Sequence, residues 1–73
     1  MTEQKKTELI KEIKELIEQL KEVDQKLNYV DYDKQLALEH GVLVTIIEDK
    51  LYEIEPHDFD KFVELQEICV EYF

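Results

Sequence analysis

Apolar residues recur along the first part of the chain at alternating spacings of four and three. Leu9, Ile13, Leu16, Leu20, Val23, Leu27 and Val30 make one unbroken series, the heptad seam of a helix that turns one stripe toward a core or a partner. The residues between them are mostly Glu, Lys and Gln, all good helix formers, and Thr2 is placed to cap the start. Residues 3–28 are therefore expected to form one long helix, supported by pairs such as Glu22 with Lys26 at the favourable spacing of four. Ile10 and Ile17 lie beside the seam and widen it. The widened stripe suits both the chain's own core and a second copy. A homodimer through Leu9, Ile13, Leu16, Leu20, Val23 and Leu27 is the expectation, because a short chain gains from a partner. The other use is a plain amphipathic helix packed on its own core.

The far end of the chain sorts its residues as sharply. Asp60, Glu64, Glu67 and Glu71 follow spacings of four, three and four, so on a helix they stack in one row. Phe62, Leu65, Cys69 and Phe73 fall on the opposite side. Residues 56–72 are expected to be helical, opened by Pro56 in the first turn, with Asp58 and Asp60 where the helix dipole favours negative charge. Glu71 sits at the end where that dipole disfavours an acid, which suits a surface role better than a stabilising one.

Between these helices the pattern is mixed. Residues 28–33 read as a turn in which Asp31 or Asp33 can cap the next helix. Residues 34–40 read as a short helix that Gly41 would close. Residues 42–47, VLVTII, hold five β-branched residues in six, the composition of a strand. Tyr52 and Ile54 alternate with Glu53 and Glu55 in the following stretch. A β-hairpin over residues 42–55, ended by Pro56, is the favoured reading. A single helix over residues 33–54 is the other: Leu36, Leu43, Ile47, Leu51 and Ile54 share one helical face, but Leu38, Val42 and Ile46 would lie well off it. The Glu48-Asp49 pair is also not a preferred hairpin turn. The expected fold is thus α+β, a long N-terminal helix, a short helix, a β-hairpin and a C-terminal amphipathic helix, with an all-α three-helix bundle as the alternative.

Seventy-three residues make one domain near the lower limit for a self-sufficient core. The chain carries 19 acids against 9 bases, a net charge of −10, and every base is Lys. Such a surface is repelled by nucleic acid and anionic membrane and drawn to basic partners. No Arg is present to read phosphates bidentately. The charge divides the domain: residues 1–30 are close to neutral, whereas residues 31–73 are strongly acidic. The single Cys forms no internal disulfide, which fits a reducing cytoplasm. The polar start argues against a signal peptide, and no apolar run reaches the ~18–20 residues that span a bilayer.

Candidate chemistry is sparse. His40 and His57 lack the companions a metal centre needs, and no acidic calcium loop is present, so no metal and no cofactor are expected. Cys69 falls on the apolar side of the last helix, between Glu67 and Glu71. It reads as a small buried hydrophobe rather than a nucleophile, since those acids would raise its thiol pKa. The acids of the 60–71 row face solvent, and acid–base catalysis needs at least one carboxyl desolvated in a cleft; enzymatic activity is not expected. The tyrosines are not interleaved with Lys as a base-stacking platform would require.

The acids remain. A solvated face that keeps a small protein soluble is one reading. The other is that a regular row of carboxylates ~5–6 Å apart imitates the phosphates of a nucleic-acid strand. In length, charge and that row, the chain resembles the small acidic proteins that phages make to block host DNA-binding proteins. The resemblance implies a non-enzymatic inhibitor whose carboxylates occupy the basic groove of a DNA-binding protein, such as an HU-type nucleoid protein. Its expected contacts are Asp58, Asp60, Glu64, Glu67 and Glu71, with Glu53 and Glu55 beside them. The alternative is a small coiled-coil-type scaffold or adaptor that works through the seam and uses its acids only for solubility.

Overall fold

The computed structural model describes residues 2–29 and 33–73, and every regular element among them is helical. Helix α1 runs Glu3–Tyr29, α2 runs Lys34–Ile54 and α3 runs Phe59–Val70. They form an elongated bundle of 44 × 17 × 15 Å. Helix α2 returns antiparallel to α1: Lys50 near its end meets Glu12 near the start of α1 at 2.9 Å. Helix α3 then folds back along α2, bringing Tyr72 beside His40. Being the shortest, it covers only part of the length of the other two. No helix among the described residues is long and apolar enough to cross a membrane.

Side chains set the starts of the helices. Thr2 Oγ1 accepts from Lys5 N at 3.1 Å, and Asp33 Oδ1 accepts from Gln35 N at 2.9 Å and Leu36 N at 3.2 Å. Each satisfies a backbone donor that the first turn leaves open. Asp31, the other cap candidate, lies outside the described residues, as does Val30 of the seam. Asn28 and Tyr29, read as part of a turn, still belong to α1. Helix α3 starts later than Pro56: the Ile54 carbonyl accepts from His57 N and Asp58 N, and Asp58 is the cap. Pro56 instead marks the stop of α2 just after its last turn.

The β-hairpin over residues 42–55 is overturned: that whole stretch lies in α2 or just past it, and the fold is all-helical rather than α+β. Gly41, expected to end a short helix, is inside α2, and no described residue has positive φ. The reason is that packing outweighs local preference. Five β-branched residues in a helix forgo ~2–3 kcal/mol relative to Ala. Ile47, Leu51 and Ile54 are all buried by the helical arrangement, at ~1.5–3 kcal/mol each. A two-stranded hairpin is marginal by itself and could not bury all three on one side.

The core is a single cluster: Leu9, Ile13, Ile17 and Leu20 from α1, Ile47, Leu51 and Ile54 from α2, and Phe62, Leu65 and Cys69 from α3. Helix α2 also carries a second apolar row, Leu38, Val42 and Ile46, on the side turned away from that core. These residues are 69%, 51% and 37% exposed.

Candidate acidic interface

Asp58 organises the start of α3. Its Oδ1 accepts from Lys61 N at 3.0 Å, and its Oδ2 lies 3.5 Å from Lys6 Nζ of α1. The backbone hydrogen bond from Lys61 is the main reason its carboxyl is held below the usual range, with the Lys6 ammonium adding to it. Lys6 is shared with Glu3 at 3.4 Å. The hydrogen bond and charge of Glu3, then of Asp58, keep its ammonium above the usual lysine value. Asp58, expected among the partner-binding acids, is thus tied to the cap and to α1.

From this start, α3 turns Phe62, Leu65 and Cys69 into the core. The same rotation leaves Asp60, Glu64, Glu67 and Glu71 exposed along one ridge. The ridge extends ~16 Å from the rise of the helix. Among the described residues only Glu64 of these four meets a lysine: Lys61 Nζ lies 3.1 Å away, and the Glu64 side chain stays 58% exposed. That pair lies one turn apart on the same helix, so it decorates the ridge without turning it inward. Glu71 is the C-cap residue of α3. Glu53 is exposed near the end of α2 and Glu55 is half-buried at its C-cap, where its N–H bonds the Leu51 carbonyl.

The expected dimer residues have a different setting. Leu9, Ile13, Leu20 and Val23 are buried, and Leu16 and Leu27 are half-buried. Most of the seam is thus covered within one chain, and Ile17, read as a flanking position, is as buried as the seam itself. Cys69 is fully enclosed. Burial, rather than the neighbouring acids, pushes its thiol up to about 11, which makes it a poor nucleophile at neutral pH.

Two contacts between residues far apart along the chain had no signal in the sequence. Lys50 bridges to Glu12 across 38 residues of sequence. His40 Nε2 lies 2.6 Å from the Tyr72 carbonyl, and since a carbonyl only accepts, Nε2 carries the proton. His40 therefore fastens the end of α3 to the middle of α2. Among the described residues no group of three or more His, Cys, Asp or Glu is arranged to hold a metal ion. No family model, curated protein or solved structure matches the chain.

Proposed function

We propose that this chain is a non-enzymatic DNA mimic, an acidic inhibitor that lays the α3 ridge in the basic groove of a DNA-binding protein and keeps it off DNA. An HU-type nucleoid protein in the cytoplasm is the kind of target that fits. The observation that carries this reading is the outward row Asp60, Glu64, Glu67 and Glu71, of which only Glu64 pairs with a lysine among the described residues. Ordinary solubilising faces mix signs; this one is almost wholly anionic. Glu53 extends the acidic surface, whereas Asp58 shapes the helix start and contributes little contact of its own. The work is electrostatic: the field of a chain with net charge −10 steers the encounter, and exposed ion pairs then fix the register.

The coiled-coil adaptor reading has less to rest on, because Leu9, Ile13, Leu20 and Val23 are already covered within the chain.

The test is a fluorescence titration of the labelled chain with a purified HU-type protein, with duplex DNA as competitor. Binding is expected at low salt, displaced by DNA, and lost by ~0.5 M salt, where exposed charges are screened within a few ångströms. The double reversal Glu64→Lys with Glu67→Lys should weaken binding by roughly tenfold or more, since each exposed contact is worth ~0.2–1 kcal/mol and the reversal adds repulsion. Binding that survives high salt, or that ignores the reversal, would refute the mimic.

A further inference from the structure

Helix α2 carries a feature that neither the core nor the acidic ridge uses. Its outer face holds two parallel rows, each with a spacing of four. Leu38, Val42 and Ile46 form an apolar ridge; Ala37, Gly41 and Thr45 form a low row beside it. Gly41 is the centre of the low row. It sits inside the helix without positive φ, and a Cβ added there meets no atom within 4 Å. Nothing inside the chain therefore requires a glycine, although one in a helix interior costs ~1 kcal/mol relative to Ala. A close approach from outside would require it.

The two rows complement each other when the helix is turned end for end. A two-fold axis crossing α2 between Gly41 and Val42 places Val42 over Gly41 of the second copy, Leu38 over Thr45 and Ile46 over Ala37. Every large residue then meets a small one, so the ridge of each helix enters the low row of the other. The same operation brings Lys34 opposite Asp49, both exposed and both on this side of the helix, so the ends of the contact are opposite in charge. Residues 40–47 at the centre of the contact carry no Asp, Glu or Lys, so the acids of two chains of net charge −10, Glu39 among them, stay at its edges. An isologous contact of this kind closes on itself and leaves no open edge for further growth.

We propose that the outer face of α2 is a homodimer interface in which two chains pack antiparallel through Leu38, Val42 and Ile46 against Ala37, Gly41 and Thr45. One helix face buries less than the ~800 Å² per partner of tight complexes, so the dimer should be weak, with a dissociation constant on the order of micromolar to tens of micromolar.

Sedimentation equilibrium of the full chain tests this. The mass should rise from 8.8 kDa to twice that value as concentration goes from about 1 μM to about 1 mM. Salt should strengthen the association, because it screens the repulsion between two acidic chains. This is opposite to its effect on the acidic ridge, so failure of one proposal is distinguishable from failure of the other. Gly41→Leu should weaken association at least tenfold while thermal unfolding at low concentration occurs no lower than in the wild type, because Leu is a better helix former and its Cβ is unobstructed. Lys34→Asp should weaken it too, and adding Asp49→Lys should restore it. A chain that stays at 8.8 kDa to about 1 mM in high salt overturns the proposal and leaves the face to some other partner. So does a Gly41→Leu chain that self-associates as well as the wild type.

Discussion

Gly41→Ala separates a glycine inside a helix from one that ends it, and the two cases differ in sign. A glycine closing a helix commonly adopts positive φ, where Ala is strained and the substitution destabilises. Gly41 instead lies in the interior of α2, eighth of 21 residues, with no positive φ and open space around an added Cβ. Only backbone entropy and helix propensity then change, and Ala should stabilise the fold by ~0.8–1 kcal/mol. For a domain of this size that raises Tm by about 4–8 °C. The assay is thermal unfolding followed by helical circular dichroism over a dilution series and extrapolated to zero concentration, which removes the contribution of the weak self-association proposed for this face. A fall in Tm would refute the continuous α2 and return Gly41 to the end of a shorter helix.

Further predictions concern the core and the cap of α3. Leu65 is fully buried and Leu38 is largely exposed, so Leu65→Ala should cost ~2–5 kcal/mol by urea unfolding, against a total of roughly 4–11 kcal/mol for a chain of this length. Leu38→Ala should stay within ~0.5 kcal/mol at low concentration; equal effects would mean the outer face of α2 is wrongly assigned. Because the Asp58 carboxyl is held below its ordinary value of 3.8, its charge supports the fold above that pH, and the support is lost as pH falls through the lowered native value. Asp58→Asn keeps a capping oxygen without the charge, so its deficit in Tm relative to the wild type should be steady near neutrality and shrink in acid. A deficit independent of pH would remove the charge from the account.

Both outer helices were legible because one rule accounted for each of them. In α1 the heptad series and the Thr2 cap agreed, and in α3 the acidic and apolar rows lay on opposite sides. The strand reading of the middle failed because a six-residue apolar run does not state its own period: the β-branched content of residues 42–47 weighed locally toward a strand, whereas burial of Ile47, Leu51 and Ile54 is decided by contacts with α1 and α3. The row of acids was legible, but the separate task of Asp58 was not, since its lysine comes from the start of the chain. Lys50 with Glu12 and His40 with Tyr72 were hidden for the same reason.

A helical middle segment leaves Leu38, Val42 and Ile46 off the buried face, which counted against it in the sequence. They are indeed off that face, and they are exposed. The geometry of the helix was right; the mistaken premise was that every apolar row must be buried within the chain. A helix with two apolar faces reads locally as a strand or as fully buried, because the two stripes together blur the 3.6-residue period. That blurring is itself informative. A chain this short cannot surround all sides of a 21-residue helix, since α3 is too short to cover the length of α2. The local resemblance to a strand and the bare ridge beside Gly41 therefore have the same cause: more apolar surface on α2 than two neighbouring helices can cover.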